Sequence, residues 1–179
     1  FIKTNLLKVI EWLDDSQDTI VYRFPMDGRQ IMNGSKLTVR ESQIAVFVHK
    51  GQIADIFEPG MYKLETKNLP ILTQILSWPY GFKSPFYADV YFVNTKQFTN
   101  QRWGTSNPIT MRDKDFGTIR LRGYGSYSFT VSNPETFLTE LFGTNSSFTT
   151  DDINSYLKSI IVSSISDTIA ESKISALDI

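Results

Sequence analysis

Few side chains in this sequence are suited to catalysis. It has no cysteine and a single histidine, His49, which falls at the end of a strand pattern beside the turn signal Lys50-Gly51. Histidine catalysis needs a nucleophile or an orienting partner beside the ring, and no nucleophile-elbow sequence accompanies His49. We therefore interpret His49 as a partly exposed residue that flanks a turn, and we expect no catalytic residue and no enzyme activity.

Two pairs of acidic residues are the remaining candidates for metal or acid–base chemistry. Asp113 and Asp115 are oxygen ligands of the kind that hard cations take, but the glutamate that an EF-hand loop requires does not follow. Asp151 and Asp152 open a helical pattern, where carboxylates are favoured by the positive end of the helix dipole. We interpret the first pair as a solvated loop and the second as acids of a first helical turn, and we expect no metal and no cofactor.

One long strand pattern carries glycines, arginines and a tyrosine. Gly123 and Gly125 do not form a phosphate loop, because they lie inside the strand pattern and no helix that starts with Lys-Ser or Lys-Thr follows. Arg120, Arg122 and Tyr124 share one side of the strand, and basic, aromatic strand faces bind RNA in some proteins. Only two cations are involved and the formal net charge of the chain is −1. We therefore expect no nucleic-acid partner.

Apolar residues outside the regular patterns form the candidate interaction surface. One short segment, rich in aromatic residues and proline, either packs beneath a sheet or forms a patch for a membrane interface or a neighbouring subunit. Two further apolar residues lie off the stripe of the N-terminal helix predicted below, and would leave apolar surface on its flank. The candidate residues are Leu7, Trp12, Trp78, Tyr80 and Phe82.

Hydrophobic periodicity predicts the elements that position these residues. Between Phe1 and Leu13, apolar residues recur at helical spacing and predict an amphipathic helix. Asp14 and Asp15 oppose the helix dipole, so the helix is expected to end near Leu13. It is far shorter than a membrane span, and we expect it either to dock on the domain or to lie on a membrane or a partner. Its stripe consists of Ile2, Leu6, Val9, Ile10 and Leu13.

From residue 20 to residue 131 the period changes to two, with turn signals every 8–12 residues, which is typical of antiparallel β structure. The longest alternation runs from Ile119 to Val131. It places Tyr127 and Phe129 on the buried side, and Ser128 with the two arginines on the wetted side. Glycines on the buried side predict a bend or close packing by a helix.

Helical periodicity returns after this strand. Asn133-Pro134-Glu135 combines a capping side chain, a first-turn proline and an acid, and predicts a helix start. Gly143 ends that helix, and a second, longer helix is predicted to start at Thr149-Thr150. Its predicted apolar face consists of Ile153, Leu157, Ile160, Ile161, Ser164, Ile165 and Ile169.

The element order predicts an α+β fold, with an antiparallel β-meander sheet packed with N-terminal and C-terminal helices. We divide the chain into an N-terminal amphipathic helix (1–15), a β-rich core with the first packing helix (16–143) and a C-terminal helical part (144–179). With 41% hydrophobic and 21% charged residues, the composition is ordinary for a soluble globular domain. No stretch approaches the roughly 18 consecutive apolar residues of a membrane span.

Three stretches in this order resemble SPFH (stomatin/prohibitin/flotillin-type) domains. The first, Val39-Arg-Glu-Ser-Gln-Ile-Ala-Val-Phe-Val-His-Lys-Gly-Gln, running on to Glu58-Pro-Gly-Met-Tyr, is similar to the opening hairpin of these domains. The second, Gly117 to Val131 followed by Asn133-Pro-Glu-Thr-Phe, is similar to their long strand and the helix start that follows it. The third, Arg102-Trp-Gly-Thr with Pro108-Ile109, is similar to a bacterial soluble branch of the superfamily, sometimes labelled virion-core-protein-like.

The resemblance covers about residues 20–170 of the chain. It implies a non-enzymatic scaffold and oligomerisation domain of a membrane-associated protein, with a role in membrane organisation or envelope stress, and it carries no active site to transfer. The alternative is a soluble adaptor module that binds a protein partner without contacting lipid. Self-association is expected in the full-length protein, and membrane contact is expected to be direct or through a partner.

We expect the chain to be an excised domain of a longer protein, because it stops at Ile179 inside a helical pattern. The absence of cysteine fits a reducing compartment. The expected location is the cytoplasm, at the inner face of the cell membrane.

Overall fold

The computed structural model describes residues 9–14, 16, 18–26, 30–75, 86–142 and 150–172. These residues form β-strands and α-helices, with a short 3₁₀ turn at Thr66–Asn68. The strands are β1 (Val9–Glu11), β2 (Val21–Arg23), β3 (Gln30–Ile31), β4 (Lys36–Val39), β5 (Gln43–His49), β6 (Gln52–Phe57), β7 (Gly60–Lys63), β8 (Phe86–Tyr87), β9 (Asp89–Asn94), β10 (Phe98–Gly104), β11 (Ile109–Asp113), β12 (Gly117–Leu121) and β13 (Tyr124–Phe129). The helices are α1 (Pro70–Ile75), α2 (Pro134–Phe142) and α3 (Thr150–Ser172).

The chain divides into two compact units, each discontinuous in sequence. Unit 1 consists of Phe1–Lys96 and Thr130–Thr149, and unit 2 of Gln97–Phe129 and Thr150–Ile179. The combination of strands and C-terminal helices agrees with the predicted α+β class. The units interleave along the chain, whereas the division predicted above is sequential.

Unit 1 is built around β5. Its four-stranded antiparallel sheet has the order β2-β9-β5-β6, so β5 has a hydrogen-bonded neighbour on both edges. Four consecutive residues, Ala45 to Val48, are buried, which is the pattern of a strand covered on both faces. A second sheet of order β1-β4-β7 and the short pair β3-β8 also belong to this unit.

The turn between β5 and β6 determines how these two strands pair. His49 pairs with Gln52 across two residues, Lys50 and Gly51, whose φ angles are 50° and 79°. Two positive φ angles are the signature of a type I′ turn, which matches the twist of a hairpin. His49 flanks this turn, as predicted, and its Nδ1 donates a hydrogen bond to the backbone carbonyl oxygen of Tyr87 (2.7 Å).

A buried carboxylate connects β6 to the first helix. Asp55 is 5% exposed, and its two oxygens accept hydrogen bonds from the backbone N–H groups of Ile71 (3.1 Å) and Leu72 (2.9 Å). These N–H groups lie in the first turn of α1, where a helix has no partners of its own for them. Asp55 therefore holds the start of α1 against β6.

The prediction of a helix up to Leu13 is wrong for the part that the structure describes. Val9–Glu11 forms β1, which pairs in parallel with β4, while residues 1–8 lie outside the described residues. Ile10 and Trp12 are buried, whereas Leu13 is 58% exposed, so the burial has a period of two. The five residues Val9 to Leu13 fit the period of a helix and the period of a strand equally well. Pairing with β4 and burial of the Trp12 indole favour the strand.

Trp12 anchors β1 to the rest of unit 1. Its ring stacks on Tyr22 (centroids 5.3 Å apart, planes at 16°) and is tilted against Phe92 (6.4 Å). Its backbone carbonyl oxygen accepts a hydrogen bond from the side chain of buried Gln43 (3.2 Å). Asp14, which follows, accepts hydrogen bonds from Asn94 and Lys96, which is a different role from the helix end predicted for it.

The predicted β-meander also differs from the observed arrangement. Consecutive strands do pair as hairpins in β5–β6 and β11–β12, but β2 pairs with β9, β4 pairs with β7, and β1 pairs in parallel with β4. Alternation with a period of two shows which face of a strand is buried but does not identify the neighbouring strand.

Unit 2 contains a two-stranded ribbon and the long helix α3. The pair β10–β13 and the hairpin β11–β12 are separate two-stranded sheets, linked by a hydrogen bond from the backbone N–H of Thr105 to the carbonyl oxygen of Gly123 (2.9 Å), and together they form the ribbon. The predicted single strand Ile119–Val131 is divided at Arg122 and Gly123 into β12 and β13. Its alternation is confirmed, because the even-numbered residues from 118 to 130 are exposed. Tyr127 and Phe129 are only half-buried, because α3 packs mainly against β10 and β11 rather than against β13.

The glycines of the ribbon make room for Trp103. A Cβ atom at Gly125 would lie 2.7 Å from the indole Nε1 of Trp103, whereas one at Gly123 would lie 3.5 Å from the nearest ring atom. The strand is interrupted at residues 122–123, and the close packing at the glycines comes from a tryptophan and not from the predicted helix. The predicted helix starts are confirmed: Asn133 accepts a hydrogen bond from the backbone N–H of Thr136 (2.9 Å) at the start of α2, and Asp151 and Asp152 lie in the first turn of α3.

We predict that Gly125→Ala lowers the free energy of unfolding by about 1–3 kcal/mol, because the new methyl group forces the Trp103 indole out of its position. Gly123→Ala is the matched control: its Cβ makes an ordinary contact, so stability should stay unchanged or rise slightly as the unfolded chain loses freedom. Urea unfolding of both variants measures the difference. Equal destabilisation by the two substitutions would show that Trp103 does not leave less room at Gly125 than at Gly123.

We predict that Trp12→Ala lowers the free energy of unfolding by about 3–5 kcal/mol, because it removes a buried aromatic side chain from the core. The neighbouring substitution Leu13→Ala removes an exposed side chain and should change stability by less than about 0.5 kcal/mol. Urea unfolding followed by circular dichroism, which does not depend on the lost fluorophore, compares the two. A larger loss of stability for Leu13→Ala than for Trp12→Ala would support a helix in this segment instead.

Candidate interaction surfaces

The sequence-predicted interaction residues do not form a site in the described part of the chain. Leu7, Trp78, Tyr80 and Phe82 lie outside the described residues. The prediction for Trp12 is wrong, because its side chain is 6% exposed and packs inside unit 1. The large side chains that are exposed lie elsewhere, and several of them belong to unit 2.

The outer face of the ribbon in unit 2 is polar and open to solvent. Four cross-strand pairs lie on this face: Arg102–Ser126, Gly104–Tyr124, Thr110–Arg120 and Arg112–Thr118. All of these residues are exposed, and Tyr124 is 89% exposed. Because α3 packs against β10 and β11 from the other side, no element among the described residues of unit 2 covers this face.

The charge of this outer face is uniformly positive. Residues 97–129 contain five basic residues and two acidic ones, a net charge of +3 in a chain whose total is −1. The buried carboxylate of Asp113 points into the end of the hairpin, where its Oδ1 accepts hydrogen bonds from the backbone N–H groups of Asp115 and Phe116. Among the described residues, no carboxylate forms an ion pair with Arg102, Arg112, Arg120 or Arg122.

The inner face of the ribbon is held on α3 by a polar cluster. The Tyr127 hydroxyl donates a hydrogen bond to Asn154 Oδ1 (2.8 Å), and Asn154 Nδ2 donates to Gln101 Oε1. Burial raises the pKa of Tyr127, so its hydroxyl remains a donor through neutral pH. This cluster fixes α3 against one face of the ribbon and leaves the arginine face outward.

The outward side of α3 is acidic. The helix contains four acidic residues and one lysine, a net charge of −3. An exposed stripe recurs at helical spacing on the side away from buried Asn154. It consists of Asp152, Tyr156, Ser159, Ser163 and Asp167. Tyr156 is 65% exposed and neighbouring Ile160 is 43% exposed, so the stripe combines negative charge with apolar surface.

Unit 1 carries a separate groove beside β6 and α1. Its volume is about 570 Å³, and it is lined by Ile56 and Ile71, by the ring of Tyr62 and by the carboxylates of Glu58 and Glu135. Ile56 and Ile71 are 40% and 45% exposed. The groove thus offers apolar contacts beside two acidic groups.

The residues considered for chemistry have structural roles. Asp113 is buried and caps a turn, so the predicted solvated loop is wrong for this residue, and His49 bonds to a backbone carbonyl group. Within the described residues, no group of three or more histidine, cysteine, aspartate or glutamate side chains is arranged to hold a metal ion. None of the helices described has both the length and the hydrophobicity needed to cross a bilayer.

The sequence analysis placed only two of the four arginines on the outer face. Arg120 and Arg122 are predicted to share a wetted face with Tyr124, but Arg102 and Arg112 belong to the opposite strand. The signal was present in the alternation Arg102-Trp103-Gly104 and Thr110-Met111-Arg112 around the turn at residues 114–116. Reading these segments as one hairpin would have doubled the number of arginines on the face.

Comparisons with known proteins agree with the fold. The sequence model of the SPFH domain-Band 7 family matches residues 21–179. A Bacillus subtilis (strain 168) protein described as uncharacterized protein YdjI is 32% identical over 163 residues, which are 90% of this chain and 50% of that protein. The chain therefore spans about half the length of this curated relative, and no solved structure matches it. With the family model covering most of its length, the chain belongs to the SPFH domain-Band 7 family.

Proposed function

We propose that the chain is a non-enzymatic scaffold domain that self-associates in a membrane-associated assembly. The observation that carries this proposal is the open, arginine-rich outer face of the ribbon. Tyrosine and arginine are among the side chains enriched at the energetic centres of protein interfaces, and here Tyr124 lies among four arginines. Family membership supports the same function, because the resemblance implies scaffold and oligomerisation roles.

The proposed place of action is the inner face of the cell membrane, in membrane organisation or envelope stress. Attachment to the membrane is direct or through a partner protein. A family role in membrane-associated assemblies supports this part of the proposal, and the cationic outer face supports contact with an anionic surface or partner.

A second candidate function is that of a soluble adaptor that binds one protein partner without contacting lipid. The groove beside β6 favours it, because the groove places the exposed side chains of Ile56 and Ile71 next to Glu58 and Glu135. Such a lining suits an extended segment that carries both apolar and basic side chains. In this function the partner binds to the groove and not to the ribbon.

We predict that Tyr124→Ala weakens self-association about tenfold, because truncation of an exposed aromatic interface centre removes roughly 1–2 kcal/mol of binding energy. Light scattering of the protein at its full natural length, with and without anionic vesicles, measures this change. The urea midpoint should not move, since Tyr124 is 89% exposed. Met61→Ala is the matched control, because Met61 is an equally exposed apolar side chain (86%) that lies in unit 1.

The same measurements separate the two functions. A monomer at micromolar concentration, in the presence and absence of vesicles, would overturn the scaffold proposal. Loss of a co-purifying protein on Ile56→Lys, with no such loss on Tyr124→Ala, would establish the adaptor function instead.

A further inference from the structure

We propose that the basic outer face of the ribbon in one copy of the chain docks on the acidic outward side of α3 in a second copy. This inference rests on the proposed scaffold function and names the interface through which the copies associate. Each copy would then offer one basic and one acidic surface, both within unit 2.

The first argument is charge complementarity. The ribbon carries a net charge of +3 and α3 a net charge of −3. The described residues provide no carboxylate partner for the four arginines of the outer face. Two ribbons repel each other, as do two α3 helices, and like-charge contact costs several kcal/mol at an interface. Ribbon-to-helix contact is therefore the favoured pairing of these surfaces.

The second argument is the length of the two surfaces. Arg112 and Arg102 face Thr118 and Ser126, which are eight residues apart in β12 and β13 on either side of the break at residues 122–123, or at most about 27 Å at the rise of a strand. The exposed stripe of α3 from residue 152 to residue 167 spans fifteen residues, or about 23 Å at the rise of a helix. The stripe can therefore lie along the ribbon, with the exposed carboxylates of Asp167 and Glu171 facing basic groups near one end of it.

The third argument is the apolar content between the charges. Tyr124 lies near the middle of the ribbon, and Tyr156 and Ile160 lie along the outward side of α3. Exposed ion pairs alone contribute little, about 0.2–1 kcal/mol each, so these side chains would supply the contact area that holds the charged groups together. The association should be weakened by salt, because the charges lie at the surface.

The geometry of unit 2 determines what such contacts build. The arginine face and the acidic side of α3 point in opposite directions, because α3 packs against the inner face of the ribbon. A contact between two different surfaces is heterologous, and repetition of a heterologous contact produces a ring or a filament and not a closed dimer. The acidic side of α3 in the same unit also favours a second copy over lipid or RNA as the occupant of the ribbon.

The experiment reverses the charges on each surface of this chain and follows self-association by sedimentation at low ionic strength. Arg112→Glu with Arg120→Glu should raise the apparent dissociation constant at least about tenfold, and so should Asp167→Lys with Glu171→Lys. A chain that carries all four substitutions has the charges exchanged and should associate again. Lys36→Glu with Lys50→Glu is the matched control: it changes the net charge as much as the arginine pair does, at exposed positions of unit 1, and should leave association unchanged.

Recovery in the fourfold variant is decisive, because neither unfolding nor the loss of another ligand is repaired by a second pair of reversals. Self-association of the chain that neither double variant weakens would place the interface elsewhere and overturn this inference while leaving the scaffold proposal intact. Two further probes are phosphatidylserine vesicles and polyuridylate RNA. Binding of either probe that is lost on Arg112→Glu with Arg120→Glu, in a chain that stays monomeric, would assign the ribbon to lipid or to RNA and also overturn the inference.

Discussion

Burial of β5 on both faces is the constraint on which unit 1 depends. Four consecutive apolar residues, Ala45 to Val48, cannot contact water on either side, so the strand needs a neighbour on each edge and a layer of side chains on each face. β9 and β6 provide the edges. Phe47 and Phe57 meet edge to face (centroids 5.2 Å apart), and Phe57 in turn contacts Tyr62 of β7 (4.9 Å). The second sheet is thus attached to the first through aromatic contacts that begin at β5.

Polar side chains hold the segments at the margins of this core in position. Asp55 holds the first turn of α1, and Gln43 holds the carbonyl group of Trp12. Lys96 and Asn94 both donate hydrogen bonds to Asp14 (2.8 and 2.7 Å). Each of these bonds ties a peripheral segment to a strand that already belongs to the core or to a residue beside it. Unit 1 therefore depends on a few buried or half-buried polar groups for the position of its peripheral segments.

Local sequence patterns predicted most of the strands and both C-terminal helices, because alternation, turn residues and caps act within a few positions of each other. The hairpin turn at Lys50 and Gly51 and the cap at Asn133 are of this kind. Pairing partners far apart in sequence, such as β2 with β9, have no local signature and were not predicted. The segment Val9–Leu13 was assigned to the wrong element because five residues satisfy a helical and a strand period equally well. The candidate surface was predicted only in part, since its arginines come from two strands that the fold brings together.

The strand order of unit 1 has a consequence for the synthesis of the chain. β9 lies between β2 and β5, and Val21 pairs with Val93, 72 residues later. The β5–β6 hairpin closes locally, but β2 has no neighbour until β9 has left the ribosome, a delay of roughly 4–14 s at about 5–20 residues per second. During this interval β2 and one edge of β5 are open to pairing with other nascent chains. The chain should therefore need chaperones most while residues 24 to 94 are being made. Slower translation should lengthen this interval.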